Sequence, residues 1–369
     1  MPHLIQLNQE PNALVVEWSD GQSSRFPHFW LRDHATDPDS YDERTAQREL
    51  FTAAVAPDIQ PESAELAEDG TSLLVCWPGT VEPSCYTTEF LHAFAAPEAD
   101  GAQRYPQSWH NATLTTEAIR LDYSDVLCDD SGLQSLLETI DQHGFALLAN
   151  CPRAVPAVER LANKIGYVRE TIFGGALDFE ANEAMADSAF SPKEVRPHTD
   201  GTYSHDAPGV QMLLCLDYDA KGGDSIMVDG LEIVRRLQME TPDAYRTLTQ
   251  VHVPGQYRGD GVHLLARRPV LRLGLEGEVV QVSFNNYDRA PFRLPDAEMA
   301  EFYEAIRAFD SLANDPQLQW RHLLAPGEML IFNNWRVLHG RGEFQGRRRM
   351  SGCYLNREDF ESRLRMLRG

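Results

Sequence analysis

"EVRPHTDGTY", Glu194 to Tyr203, places a histidine and an aspartate two residues apart, with Pro197 before them and Gly201 after. Side chains two apart on a strand point to the same face. His198 and Asp200 therefore offer one ion an imidazole nitrogen and a carboxylate oxygen. A His-x-Asp triplet is common in an acidic chain and decides nothing alone. A third ligand is needed. "MLIFNNWRVLHGRGEF", Met329 to Phe344, offers His339 at the end of an apolar, strand-like run. Two histidines and one carboxylate on one face of an ion leave the opposite positions open, the arrangement of non-haem ferrous iron and dioxygen chemistry. The carboxylate separates this set from a three-histidine zinc site, and no cysteine cluster competes. Taken alone, His339 reads more readily as a strand-end histidine bonding a backbone carbonyl.

Two neighbours shift the balance. "GGDS", Gly222 to Ser225, puts a hydroxyl at the start of a strand. In "RRRMSGCYLN", Arg348, Met350, Gly352 and Tyr354 share one strand face. An inward arginine and tyrosine with a glycine between them suit an anionic co-substrate, because a guanidinium fork matches a carboxylate. Arg347, on the other face, reads as part of a solvated basic edge.

The rest of the chain supports a strand-rich fold. Short apolar runs such as "VQMLLCLDY", "SIMVDG" and "VVQVSFNN" follow two helices without strict strand–helix alternation, which fits a sandwich or barrel with helices outside. "SGLQSLLETIDQHG" puts Leu133, Leu136, Leu137 and Ile140 on one helical face, with Ser131 as candidate N-cap and Gly144 as stop. "PDAEMAEFYEAIRAFDSL" predicts an amphipathic helix burying Met299, Phe302, Tyr303 and Ile306. Before all of these lies a small β-rich module. There "ALVVEWSDGQSSRFPHFWLRDH" reads as two strand-like runs joined at Asp20-Gly21. The expected organisation is an N-terminal β-rich domain over residues 1–98, a linker over 99–118 and a catalytic domain over 119–369.

With 369 residues and a formal net charge of -23, the chain is large enough for two domains and lacks the basic footprint of a nucleic-acid or anionic-membrane surface. Its six cysteines are scattered with no CxxC pair, so buried free thiols are expected. The first residues show no charged and apolar leader and no run approaches a membrane span, so a cytoplasmic protein is expected.

Three longer stretches carry a resemblance: "HTDGTYSHDAPGVQMLLCLDYDAKGGDSIMVDG", then "FNNYDRA", then "NNWRVLHGRGEFQGRRRMSGCYLNRED", with "FPHFWLRDH" near the start. Together they resemble the γ-butyrobetaine and trimethyllysine hydroxylases, Fe(II)- and 2-oxoglutarate-dependent oxygenases related to taurine dioxygenase. The resemblance implies a double-stranded β-helix, or distorted jelly roll. It also implies His198, Asp200 and His339 as iron ligands, Arg348 on the distal carboxylate of 2-oxoglutarate with Ser225 assisting, and O2 as oxidant. For a trimethylammonium head it points to Phe173, Leu177, Phe190 and Tyr354, with Asp187 beside them. For the anionic end it points to Asn285, with Tyr203 and Arg289 near. Phe173 and Phe190 equally suit plain core, Asp187 a helix cap, and Arg289 a structural pair with Asp288 or another acid.

Two departures from that family stand out. Ala35, Asp37 and Ser40 stand where relatives often have zinc-binding cysteines, so no structural zinc is expected and the module must hold by packing, with a dimer contact in view. Leu177 stands where a cage tryptophan is typical of γ-butyrobetaine hydroxylases. The substrate is then expected to be a small trimethylammonium zwitterion, with 2-(trimethylammonio)ethylphosphonate first and γ-butyrobetaine or trimethyllysine next. A non-catalytic jelly roll that binds a ligand is the alternative class.

Overall fold

Alternation in "ALVVEW" buries Leu14, Val16 and Trp18 on one face, and this strand, Ala13–Trp18, is the centre of a three-stranded antiparallel sheet with Leu4–Glu10 and Ser23–Pro27. The computed structural model describes residues 2–95, 106–180, 192–259 and 261–369, in two compact units, 1–104 and 105–369. In the first unit, a second antiparallel sheet joins Ser63–Leu66, Ser72–Cys76 and Ser84–Thr87. Trp18, Phe26, Leu31, Leu73, Val75, Trp77 and Tyr86 form its core. The second strand-like run stops at Pro27 and continues as the short helix His28–Asp33.

Asp37 is fully buried there. One carboxylate oxygen accepts from the Ser40 hydroxyl at 2.8 Å and the other from the Ser84 hydroxyl at 2.7 Å, while Arg32 donates to Ser40 at 2.8 Å. Arg32 lies 4.0 Å from Asp37 with the Ser40 hydroxyl between them; a carboxylate tolerates such burial only when its lone pairs are satisfied.

The second unit is built on strand parity. "FALLAN" is buried on both faces because Phe145–Ala149 lies inside a six-stranded sheet, in the order Leu177–Glu180, Phe344–Leu355, Val210–Gly222, Met329–Asn333, Phe145–Ala149, Arg120–Asp122. A four-stranded sheet runs Val195–His198, Val337–Arg341, Ser225–Asp229, Gln319–His322. From Val195 to Asp229, and again from Gln319 to Leu355, consecutive strands alternate between the two sheets, which is the jelly-roll connectivity. Phe145, Leu147, Leu330, Phe332 and Met350 of the large sheet pack with Met227 and Val337 of the small one, so these positions face the space between the sheets. Ala146, Leu148, Cys353 and Leu355 take the opposite parity and meet the helices Asp130–His143, Val155–Ile165 and Arg357–Arg368. On the small sheet, Ile226, Val228 and Leu338 pack outward beneath Gly230–Glu240, Pro242–Gln250 and Asp296–Ala313.

Helix ends differ in detail from the sequence expectation. Asp129, not Ser131, caps Asp130–His143, accepting from the Gly132 N–H at 2.9 Å; a carboxylate there also favours the helix dipole. Gly144, at φ 80°, ends that helix as expected. On Asp296–Ala313, Tyr303 is 48% exposed, and the buried stripe is Phe302, Ala305, Phe309 and Ala313. Trp109 is buried in the second unit, its backbone N–H on Asp229 and its indole on the His143 carbonyl. Among the described residues, no helix is long and apolar enough to cross a membrane.

Candidate active site

Inward parity delivers the chemistry-bearing residues to one place. His339 and Arg341 alternate with outward Leu338; Ser225 shares the Met227 face; Arg348 and Tyr354 share the Met350 face. His198 pairs directly with His339 across the antiparallel ladder, and their rings stand 4.4 Å apart. Asp200 differs from the expectation that both ends of the triplet lie on one strand: the strand ends at His198, and the aspartate sits in the bend that follows. Gly201 closes that bend at φ 73°, where an added Cβ would lie 2.5 Å from Pro208. Asn334 clamps it. Its carbonyl oxygen accepts from the Asp200 N–H at 2.8 Å, and its amide donates to the Asp200 and Pro208 carbonyls at 3.0 and 2.9 Å.

The Asp200 carboxylate then faces both imidazoles, with Oδ1 3.3 Å from His198 Nε2 and Oδ2 3.7 Å from His339 Nε2. His198 Nδ1 lies 2.9 Å from the Arg196 carbonyl, which orients the ring with Nε2 toward the carboxylate. Burial pushes the His339 pKa down to about 3, helped by His198, so its imidazole is neutral. Burial opposes the charge of Asp200, but His339, His198 and the Tyr354 hydroxyl outweigh it and hold the carboxyl well below its usual range. His198 is desolvated too, yet Asp200 raises its pKa. The ligand atoms all lie within 4.8 Å of one another, and this is the only such group of metal-capable side chains among the described residues. Two imidazoles and an ionised carboxylate fit one ferrous ion in a facial set.

Arg348 is buried, and desolvation lowers its pKa. Among the described residues no acid pairs with it, whereas its neighbours Arg347 and Arg349 are taken by Asp217 and Asp178. Ser225 is buried opposite Arg341. Arg341 was not foreseen from the sequence: burial and the proximity of Arg348 lower its pKa to about 10. Two guanidiniums and a hydroxyl in a desolvated corner make a receptor for a carboxylate.

Phe173, Tyr203 and Tyr354 line a cavity of about 240 Å³ that reaches Asp200, together with Ile172 and Leu264. Tyr257 packs edge-on to Phe173 and tilted to Tyr203, at 6.0 and 5.5 Å between ring centres. Tyr354 does more than line it: its hydroxyl donates to Asp200 Oδ2 at 2.7 Å. Leu177 lies opposite Gly352 on the edge strand and does not line this cavity. Asp187 and Phe190 lie outside the described residues.

Asn285 and Arg289 line a second, smaller cavity with Thr202, Gly255 and Arg268. The Asn285 amide is engaged internally, donating to Asp288 at 2.8 Å and accepting from the Tyr287 N–H at 2.9 Å. Arg289 does not pair with Asp288; among the described residues it has no acid partner. Asn334, Arg341, Tyr257 and Arg268 are the site residues that sequence reasoning missed. Two consecutive asparagines, Asn333 and Asn334, inside an apolar run were the one visible signal among them.

A jelly roll carrying two histidines, a carboxylate and a buried arginine pair defines a 2-oxoglutarate-dependent dioxygenase with Fe(II) as its metal. The chain belongs to the taurine catabolism dioxygenase TauD, TfdA family, whose model matches residues 107–354. A γ-butyrobetaine hydroxylase-like N-terminal model matches residues 5–92. It is 30% identical to the trimethyllysine dioxygenase of Meyerozyma guilliermondii, over 99% of this chain and 96% of that protein. It is 32% identical to the γ-butyrobetaine dioxygenase of Pseudomonas sp., over 96% and 94%. The mitochondrial trimethyllysine dioxygenase of Homo sapiens is 31% identical, over 93% and 83%.

Proposed function

We propose that the protein hydroxylates a small zwitterion with a trimethylammonium head and an anionic tail, with 2-(trimethylammonio)ethylphosphonate as the first candidate. The observation that carries this reading is the aromatic cavity beside Asp200, lined by Phe173, Tyr203 and Tyr354. A quaternary ammonium cannot donate a hydrogen bond, and ring faces are its natural partners. The names of the relatives support a trimethylammonium head.

When bound, the ferrous ion activates O2 at the expense of 2-oxoglutarate and delivers one oxygen atom to a C–H bond. The chain's residues orient the partners. His198, Asp200 and His339 would hold the ion, a ligand set that suits Fe(II) and dioxygen chemistry. Arg348 and Ser225 receive the distal carboxylate of 2-oxoglutarate. Tyr354 holds the Asp200 carboxylate while its ring faces the substrate cavity, so the reacting carbon is placed relative to the metal through one side chain.

The tail favours a phosphonate on charge. Asn285 is already engaged, and Arg289, a guanidinium with no acid partner among the described residues, matches a tail of higher charge. The relatives' names support a second reading, γ-butyrobetaine or trimethyllysine. Succinate release in the presence of Fe(II), 2-oxoglutarate and each of the three amines separates them. The phosphonate is expected to give the highest kcat/KM; a carboxylate substrate exceeding it overturns the ranking, and no turnover with any quaternary amine discards the cage.

A further inference from the structure

The second cavity is mostly apolar in its lining, but two of the residues around it carry unspent hydrogen-bonding capacity. Arg268 is 9% exposed and Thr202 is 8% exposed. Arg268 Nη2 and Thr202 Oγ1 are both buried without a hydrogen-bond partner among the described residues, and both residues line this one cavity. Among the described residues no acid forms an ion pair with Arg268. A desolvated guanidinium without a counter-charge is costly, and a hydroxyl buried without a partner adds to the cost. Such groups persist where a ligand supplies what is missing.

The backbone fixes their position. Arg268 lies opposite Val253 on the hairpin His252–Gly259/Val262–Pro269. Gly255 of the first strand lets Thr202 approach, since a Cβ there would stand 2.7 Å from Thr202 Oγ1. The same strand carries the loop that bears Arg289: the Gln256 N–H donates to the Asp288 carbonyl at 2.8 Å, and the Ala290 N–H to Pro254 at 2.9 Å. Arg268, Thr202 and Arg289 therefore line one small space held by a hairpin and a glycine. That space is about 20 Å³, while one water-sized atom needs roughly 10–15 Å³. It admits a single oxygen, not a whole anion. Thr202 is also the residue between Gly201 and Tyr203, which line the larger cavity beside the metal.

We infer that Arg268 and Thr202 form the inner end of an oxyanion subsite, shared with Arg289, that takes one oxygen of the substrate's tail and makes Arg268 the residue that favours a phosphonate over a carboxylate. The inference rests on the proposed substrate class, but the subsite can be probed without it.

Two measurements on the full-length enzyme loaded with metal and 2-oxoglutarate test it. In the first, Arg268→Gln raises KM for 2-(trimethylammonio)ethylphosphonate by about tenfold or more with kcat changed by less than about threefold, the pattern of lost uniform binding. KM for γ-butyrobetaine moves less, KM for 2-oxoglutarate stays, and Arg268→Lys recovers part of the loss. In the second, methylphosphonate raises the melting temperature of the wild type but not of Arg268→Gln. Thr202→Val guards against a folding defect. Removing an unsatisfied hydroxyl keeps or raises the melting temperature while weakening the methylphosphonate response, which a merely structural hydroxyl would not do. If the wild type turns over no quaternary amine yet methylphosphonate still stabilises it through Arg268, the substrate reading falls and the subsite stands. If Arg268→Gln leaves the phosphonate-to-carboxylate preference and the methylphosphonate response as in the wild type, or if the wild type shows no such response, the cavity holds water and the inference is wrong.

Discussion

Tyr354 joins the metal site to the substrate site through one side chain. Its hydroxyl donates to Asp200 Oδ2 at 2.7 Å, and its ring lines the cavity beside the triad. Asp200 sits in a bend rather than on a strand, so the ladder does not set its rotation; Tyr354 and the Asn334 clamp do. Groups that orient a metal ligand without touching the metal typically contribute 10- to 100-fold in affinity or activity. Tyr354→Phe keeps the ring and removes only the hydroxyl. Its Fe(II) affinity is expected to fall about tenfold with the melting temperature of the metal-free protein little changed. Titration calorimetry under anaerobic conditions reads this directly, and an unchanged affinity would show that the hydroxyl does not hold the carboxylate. The triad is legible in the sequence through the long flanking motifs that carry the resemblance, since a His-x-Asp triplet alone is common. Tyr354's second role is not, because nothing in "GCYL" says which lone pair a hydroxyl will meet.

At the level of elements, period two carries most of what can be read in advance. Arg348 is placed inward by parity with Met350, and its neighbours Arg347 and Arg349 pair with surface acids as an outer face should. Parity fails where contacts are long-range. Nothing local marks Arg268 or Arg341 as buried, and the hairpin register and the ladder to Ser225 bury them. The helix Gly230–Glu240 gives a testable case of a buried charge. Burial opposes ionisation of Glu232, but hydrogen bonds from Arg235, Ser108 and Arg236 overcome it and bring its pKa from 4.5 to about 2. A folded-state pKa below the unfolded one stabilises the protein above the unfolded value, and the gain is lost as pH falls. Glu232 therefore contributes fully above pH 4.5 and progressively less toward pH 2. With its arginines partly in solvent, the contribution is about 2 kcal/mol. Glu232→Gln is expected to cost this much near neutrality, and the gap to the wild type should close on acidification. Urea unfolding of both proteins across that range measures it; a constant gap means the carboxylate charge is not what stabilises the helix.

For the whole molecule, the charge distribution opposes its own chemistry. A formal net charge of -23 surrounds a site whose co-substrate is a dianion. Local attraction comes from the buried guanidinium of Arg348, whereas the chain as a whole carries a net negative charge. Which field dominates depends on the screening length, about 30 Å at 0.01 M salt and about 8 Å at 0.15 M. At low salt the approaching dianion meets the summed field of the protein; at physiological salt it meets mainly the guanidiniums near its destination. KM for 2-oxoglutarate is therefore expected to fall about threefold between these salt concentrations, contrary to the weakening that a simple ion pair shows. A zwitterionic substrate, with no net charge or a single one, should respond less. Arg348→Lys keeps the local charge but loses the fork, so it should raise KM at every salt concentration while preserving the slope. If KM for 2-oxoglutarate instead rises steadily with salt in the wild type, the local arginine field governs approach from the start, and the acidic surface has no part in the kinetics.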